Sequence, residues 1–277
     1  MQNDEGAIMS RKRLNVTDAD VERWIRQGSG QGEGGEYLPW AKARDVPSIG
    51  RSSRLACLRS GRTHHFYSDV EVGHFLLADF RINVQEIREQ VALLPREETI
   101  EIADDLGIPH PRFPGTTTPT VLTSDLLVST TSNGAQSEFV LSVKRLSAIH
   151  PDAKGLRRTL QKLTLERTYW QRRKVPWYLV TEAQYDPIVI RNLGLLRPAR
   201  QHWTSEERCL AARDLAAWAM SPTGRRRTLR QCLSHAEQGD DLAYQDFGLA
   251  VWKHWLPLNL SVPLRWDAPL ILREVPR

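Results

Sequence analysis

The dipeptide Asn133-Gly134 constrains the fold of this 277-residue chain more than any other sequence feature. Asn-Gly favours the positive φ angles of a two-residue type I′ turn, whose twist matches that of paired strands. The runs on either side, 121–129 and 138–144, are rich in Val, Leu and Ser. The pattern therefore predicts an antiparallel hairpin of two core strands.

The same turn predicts which side chains of the two strands lie close together. A two-residue loop places Asp125 opposite Ser142, and Lys144 becomes a diagonal neighbour of Asp125 on the same face. A carboxylate beside a lysine is typical of nucleases in which the Asp binds a hard divalent cation. The Val143 carbonyl would add an oxygen ligand, and Lys144 would orient or activate the attacking water. A purely structural pair between Asp125 and Lys144 is the alternative.

Such a metal site needs a second anionic ligand, because Mg²⁺ is weakly held by one carboxylate. Glu71 is the candidate, in the first turn of a helix predicted from Ser68 to about Phe80. Ser68 and Glu71 also fit a capping box, in which Glu71 would only bond the backbone of its own helix. Metal ligation and capping both remain open for Glu71.

Glu166 is a further acidic candidate. It lies in a long helix predicted over about 152–174, whose apolar face carries four residues: Leu156, Leu160, Leu163 and Trp170. An unpaired charge on such a face is costly. The position therefore indicates either a catalytic role or a structural ion pair, for instance with Lys144.

The elements up to residue 183 predict a mixed α/β sheet domain. A capping box at Thr17 begins a helix over about 18–27, and a hairpin, a strand, a helix and a last strand are predicted at about 54–68, 83–94, 97–107 and 177–181. The glycine-rich segment 28–35 has no strand before it and Tyr37-Leu38-Pro39-Trp40 after it. That context favours a flexible or DNA-adjacent loop over a nucleotide-binding fingerprint.

The pattern changes in the second predicted domain, 184–277. Helices are predicted at about 205–220, 224–237 and 241–255, and 258–275 is expected to form a two-stranded wing, which makes a mostly helical, winged-helix-like domain. The third helix is acidic, with Asp240, Asp241 and Asp246, and this favours protein docking over reading a DNA groove. The arginines at 225–227 and 230 are either phosphate contacts or a solvated helix start.

Composition excludes several protein classes. With 40% hydrophobic and 26% charged residues the chain is typical of globular proteins, and its net charge of +5 permits a polyanionic partner without requiring one. The three cysteines form no C-x-x-C pair, and the first residues lack the apolar segment of a signal peptide. We therefore expect a cytoplasmic protein that has no association with membranes.

Several motifs resemble those of one known family, the TnsA endonuclease subunits of heteromeric bacterial transposases. They lie in matching order over most of residues 20–183, and include Tyr37-Leu38-Pro39-Trp40, Gly61-Arg62-Thr63-His64-His65, Ser68-Asp69-Val70-Glu71, Ser124-Asp125, Val143-Lys144, Leu165-Glu166-Arg167 and Tyr169-Trp170. After Glu182 the resemblance is much weaker.

The resemblance implies a restriction-endonuclease-like N-terminal domain with Glu71, Asp125 and Lys144 in its active site. The implied cofactor is Mg²⁺, with Mn²⁺ as an alternative ion, held by Glu71, Asp125 and the Val143 carbonyl. Many related nucleases carry an acid where this chain has Ser142, so a metal-binding role of the Ser142 side chain stays open. Glu166 matches another acidic position of the family.

The resemblance also implies a function. Family members cut the non-transferred, 5′ strand at transposon ends, together with a DDE transposase (TnsB-like) and an AAA+ ATPase regulator (TnsC-like), in the bacterial cytoplasm at the nucleoid. The implied C-terminal domain is winged-helix-like and docks the ATPase. Two alternatives remain: a free-standing restriction or repair nuclease, and a non-catalytic adaptor for transpososome assembly.

Overall fold

The computed structural model describes residues 16–41, 52–56, 61–236 and 239–273. Contacts within the chain define two compact units. The first consists of the described residues of Met1–Phe75 and Asn83–Gln184, and the second of those of Leu76–Ile82 and Tyr185–Arg277. No sequence pattern indicated that the short segment Leu76–Ile82 belongs to the second unit. No helix in the described ranges is long and apolar enough to cross a lipid bilayer.

A four-stranded mixed sheet forms the centre of the first unit. Its strands are β3 (Val84–Ala92), β4 (Thr123–Ser132), β5 (Ala135–Val143) and β6 (Trp177–Val180), which lie side by side in that order. The β3–β4 and β4–β5 pairs are antiparallel, whereas β5 and β6 are parallel. The mixed α/β sheet expected from the sequence is confirmed.

The β4–β5 turn has the predicted conformation. Asn133 and Gly134 have φ angles of 49° and 78°, and Ser132 pairs with Ala135. The ladder then runs in the predicted register up to the pair Leu126–Leu141. One dipeptide has therefore fixed the alignment of two whole strands, because each further pair follows from the first.

A second, smaller hairpin lies before the sheet in the sequence. β1 (Ser53–Ala56) pairs antiparallel with β2 (Thr63–Phe66), as predicted, although part of its turn lies outside the described residues. The buried Glu89 of β3 accepts hydrogen bonds from Arg62 and from the His65 N–H, and its carboxylate lies 2.7 Å from His64 Nδ1. These contacts attach the β2 end of the hairpin to the central sheet.

Among the described residues, four α-helices belong wholly or partly to the first unit: α1 (Asp18–Arg26), α2 (Asp69–Asp79), α3 (Arg96–Asp105) and α4 (Leu156–Arg172). The last residues of α2 belong to the second unit. The capping box at Thr17 and Asp20 is present, and the flanking Val16 and Val21 are buried. The helix starts predicted from capping residues are therefore confirmed at α1 and, through Ser68, at α2.

The predicted apolar face of α4 is partly wrong. Leu160 is 46% exposed, and the buried positions are Leu163, Leu165, Glu166, Tyr169 and Trp170. Leu165, Tyr169 and Trp170 of this later part of the helix pack into the core around β4 and β5. Leu160 lies about 120° around the helix from Glu166, outside the buried face.

The glycine-rich segment forms a closely packed loop, not a nucleotide-binding fingerprint. The Gly30 N–H donates to the Leu38 carbonyl at 2.6 Å, and Gly30 has a φ of 74°. A Cβ atom at Gly30 would lie 2.3 Å from the Cβ of Ala92, at the end of β3. Glycine is needed here both for its backbone conformation and for the close approach.

The second unit is helical. Its main helices are α5 (Pro187–Leu196), α6 (Glu206–Met220), α7 (Leu229–Ser234) and α8 (Asp240–Trp252). Its core includes Leu193, Phe247 and Trp252, and the buried Arg200 forms an ion pair with Asp79.

The predicted two-stranded wing is not formed as a pair of strands in the described residues 258–273. This segment makes isolated bridges, Leu258 with Leu272 and Thr228 with Pro269. Pro263 and Pro269 interrupt the segment, and proline cannot donate to a strand ladder. The winged-helix assignment of the C-terminal part is unconfirmed.

Replacing Gly30 with Ala should destabilise the first unit more than replacing Gly34 does. Both glycines have positive φ, but an added Cβ at Gly34 meets nothing within 4 Å. We expect Gly30→Ala to lower the free energy of unfolding by about 2 kcal/mol more than Gly34→Ala, because only the former overpacks against Ala92. Urea unfolding followed by circular dichroism measures the difference, and equal losses would contradict this packing.

Candidate active site

Asp125 and Lys144 make the predicted contact. Lys144 Nζ donates to Asp125 Oδ2 at 2.9 Å and to the Val143 carbonyl at 2.7 Å. The Val143 N–H donates to the same carboxylate oxygen at 2.6 Å. Within the described part of the chain Asp125 Oδ1 makes no hydrogen bond, so it is open to a further ligand.

The predicted Asp125–Ser142 ladder pair, by contrast, is not formed. The β4–β5 ladder ends at Leu126–Leu141, and β5 continues by pairing with β6, where Ser142 lies opposite Leu179. On the other side of β4 the ladder with β3 omits Gln90, which would face Asp125 and has a φ of 50°. Asp125 therefore has no ladder partner in β3 or in β5, and its carboxylate accepts the Val143 N–H.

Gln90 is a residue that sequence reasoning missed. A non-glycine residue with positive φ is strained by about 1–3 kcal/mol and is commonest at functional sites. Its side-chain oxygen accepts a hydrogen bond from Thr123, and its carbonyl accepts the N–H of Trp40. Gln has no special preference for this backbone conformation, so the sequence carried no signal for it.

Glu71 caps its own helix, although its carboxylate accepts the Tyr67 N–H where the predicted capping box would use the Ser68 N–H. Ser68 Oγ donates to Glu71 Oε1 at 2.9 Å, the Tyr67 N–H donates to Oε2 at 3.1 Å, and the Glu71 N–H donates back to Ser68 Oγ. Glu71 is also buried, and burial together with the negative charge of Asp125 raises its pKa from 4.5 to about 7. Glu71 is therefore both a helix cap and a member of the Asp125 electrostatic cluster.

Glu166 reaches the same cluster from α4. Ser142 Oγ donates to Glu166 Oε2 at 2.8 Å, whereas Oε1 is buried and has no hydrogen-bond partner among the described residues. Burial raises the pKa of Glu166 from 4.5 to about 7, the charge of Lys144 opposes that rise, and Asp125 adds to it. Lys144 forms its ion pair with Asp125, so the predicted direct ion pair between Glu166 and Lys144 is absent from the described residues.

The hydroxyl of Ser142, for which a metal-binding role was left open, donates its hydrogen bond to Glu166. Ser142 holds a carboxylate that belongs to α4 and lies 24 residues away in sequence. A neighbouring serine, Ser124, is similarly engaged and accepts a hydrogen bond from Trp170 Nε1.

Lys144 keeps its positive charge in this setting. Burial disfavours the charged form, but Asp125 and the two glutamates outweigh that effect and raise the pKa of Lys144 above its ordinary value of 10.5. A lysine with a raised pKa donates hydrogen bonds and stabilises negative charge, and it does not act as a base near neutral pH.

The donor set suits a hard divalent cation. Within the described ranges no three acidic, histidine or cysteine side chains converge as a complete metal site. The cluster nevertheless offers oxygen donors only, and the pKa values of two of its carboxylates are raised to about 7 because their charges are buried. A cation would relieve this unfavourable charge, and Asp125 Oδ1 is an available oxygen.

Comparison with known proteins identifies the family. Residues 82–182, which contain Asp125, Lys144 and Glu166, match the family model described as TnsA-like endonuclease N terminal. The chain is also 37% identical over 199 residues to the Transposon Tn7 transposition protein TnsA of Escherichia coli, covering 72% of this chain and 70% of that relative. The chain belongs to the TnsA family. The resemblance seen in the sequence motifs is confirmed, and the chain is a TnsA-type endonuclease subunit.

The raised pKa of Glu166 should make this TnsA-type chain less stable as pH increases. Because the folded pKa, about 7, exceeds the ordinary 4.5, the folded chain holds more protons between these values. Stability contributed by Glu166 is therefore present at low pH and is lost as pH rises towards 7. We expect Glu166→Gln, without divalent cations, to raise the free energy of unfolding at pH 8 by up to about 3 kcal/mol, and to change it little at pH 5.

Urea unfolding at the two pH values tests this expectation. Glu22→Gln is the matched control, because Glu22 is exposed on α1 and its replacement should leave the pH dependence unchanged. A loss of stability at pH 8 in Glu166→Gln would contradict the buried charge inferred for Glu166.

Proposed function

We propose that this chain is a Mg²⁺-dependent DNA endonuclease that cuts the 5′, non-transferred strand at transposon ends. The observation that carries the proposal is the Asp125 carboxylate held between the Val143 N–H and Lys144, with two glutamates within electrostatic reach, in a TnsA-family chain. Partners of the proposed reaction are transposon-end DNA, a TnsB-like DDE transposase and a TnsC-like AAA+ ATPase. The setting would be the bacterial cytoplasm, at the nucleoid.

Asp125 and Glu71 would hold the metal ion, and the Val143 carbonyl would add an oxygen. Mn²⁺ would bind to the same oxygens. When bound, the cation would supply charge stabilisation at the scissile phosphate and lower the pKa of the attacking water. Ser142 is assigned no direct contact to the metal, because its hydroxyl donates to Glu166.

Lys144 would position the attacking water and stabilise the negative charge that develops on the phosphate. Its raised pKa supports this role, because the ammonium stays charged at neutral pH. Glu166 would act through its neighbours: its charge helps to keep Lys144 protonated, and its bond from Ser142 fixes the end of β5.

The second unit would dock the ATPase regulator. The exposed acidic start of α8, Asp240 and Asp241, supports a protein contact over a DNA contact. Asp246 adds nothing to that surface, although the sequence suggested that it would. It is buried and pairs with Arg208 at 3.1 Å.

Strand-resolved cleavage of labelled transposon-end DNA tests the proposal. With Mg²⁺ and both partners, we expect Asp125→Ala and Lys144→Ala each to reduce the 5′ cut by about a hundredfold or more and to leave the 3′ cut intact. Asp152→Ala is the matched control, because the Asp152 side chain is 93% exposed. Chelation of the metal should also abolish the 5′ cut.

Other outcomes have distinct meanings. Cutting by this chain alone would favour a free-standing nuclease. Partner-dependent assembly with no cut attributable to this chain would favour an adaptor. Loss of both cuts in Asp125→Ala, with assembly intact, would contradict the proposed division between two nucleases.

Glu71 and Ser68 allow the capping and metal-binding roles to be separated. Glu71→Gln keeps an oxygen that can accept the Tyr67 N–H but removes the charge, so we expect near-normal thermal stability and loss of the 5′ cut. Ser68→Ala removes the cap and should cost about 1 kcal/mol of stability while the cut persists. Normal cutting by Glu71→Gln would show that Glu71 is only a cap.

A further inference from the structure

Helix α4 carries a row of cations that leads to the candidate active site. Arg158, Lys162 and Glu166 are spaced four residues apart. With about 100° of rotation per residue, Lys162 and Arg158 lie roughly 40° and 80° around the helix from Glu166. Glu166 itself is bonded to Ser142 beside Asp125 and Lys144, so the row ends at the carboxylate cluster.

The charges of this row are not neutralised by carboxylates. Neither Arg158 nor Lys162 has an ion pair among the described residues. At the other end of the same region the arginines are paired, Arg172 with Glu101 and Asp105, and Arg173 with Glu98. Like charges four residues apart destabilise a helix, so the unpaired cations call for an anion from outside the chain.

The two side chains are suitably placed to receive such an anion. Arg158 Nη1 donates to the Pro109 carbonyl at 2.6 Å and to Gln161 at 3.2 Å, which orients the guanidinium and leaves its other nitrogens without a hydrogen bond in the described residues. Lys162 is exposed. Partial desolvation, followed by the positive charges of Arg158 and Lys144, lowers the pKa of Lys162, so the charges of Arg158 and Lys162 are close enough to interact.

We propose that Arg158 and Lys162 bind consecutive backbone phosphates of the DNA strand that enters the active site. This inference rests on the proposed endonuclease function and adds the surface that positions its substrate. A phosphodiester chain places one negative charge at each nucleotide, which suits two cations in a row beyond the catalytic lysine. Phosphate contacts of this kind fix register and orientation without reading sequence.

The test measures binding of the full-length chain to a fluorescent duplex of arbitrary sequence, with a chelator present so that no cut occurs. The slope of log affinity against log salt concentration should become shallower by about 1 for Arg158→Gln or Lys162→Gln, and by about 2 for the double variant. Binding should weaken equally for all duplex sequences, and circular dichroism checks that each variant is folded.

The matched control is the double variant Arg157→Gln with Arg167→Gln. Both arginines are exposed on α4, and its net charge equals that of the test variant. They lie about 180° and 100° around the helix from Glu166, away from the row. The control should keep the wild-type slope, and an equal loss of slope in both double variants would overturn the inference in favour of an effect of net charge.

Binding of a polyglutamate peptide tests the alternative ligand for Arg158 and Lys162, which is an acidic protein segment. Loss of peptide binding with unchanged DNA binding in the double variant would overturn the proposal, as would a wild-type chain that does not bind duplex. Strand-resolved cutting is measured separately. If the slopes change as expected but the wild-type chain never cuts, only the proposed endonuclease function is overturned. If the wild-type chain cuts but the double variant keeps the wild-type slope, only this inference is overturned.

Discussion

The hydrogen bond from the Val143 N–H to the Asp125 carboxylate is the contact on which the arrangement of this site depends. It forms just beyond the pair Leu126–Leu141, where the β4–β5 ladder ends while β5 stays paired with β6, so a side chain of β4 takes the place of a backbone partner. A buried N–H must be satisfied, and the carboxylate does so while it also receives Lys144. The β4–β5 ladder therefore ends beside the residue whose carboxylate belongs to the charged cluster.

The cluster is a balance between burial and charge. Three carboxylates interact electrostatically with one ammonium, and burial alone would neutralise several of these groups. Two of the three carboxylates, Glu71 and Glu166, have pKa values raised to about 7, while Lys144 is held in its charged form. Such a site is poorly compensated without further positive charge, and this explains why a hard cation suits it. The unpaired cations of α4 lie outside the cluster and do not compensate its excess negative charge.

Glu71 is both a helix cap and a member of the charged cluster. Its hydrogen bonds to Tyr67 and Ser68 are those of a helix cap, and its electrostatic coupling to Asp125 is that of a site residue. Local capping geometry fixes the carboxylate at the helix start, and the chain path then brings that start to the sheet. Capping thus supplies the rigidity that a metal ligand requires.

The sequence by itself determined the β4–β5 register, the helix starts at Thr17 and Ser68, and the contact between Asp125 and Lys144, because turn chemistry, caps and strand alternation act over a few residues. The tertiary structure alone decided three other matters: the left-handed backbone at Gln90, the end of the β4–β5 ladder before Asp125, and the bond from Ser142 to Glu166. Each depends on which distant segment packs against a strand, and no local pattern encodes that choice. The expected wing illustrates the same limit, since alternation suggested strands that the intervening prolines do not support.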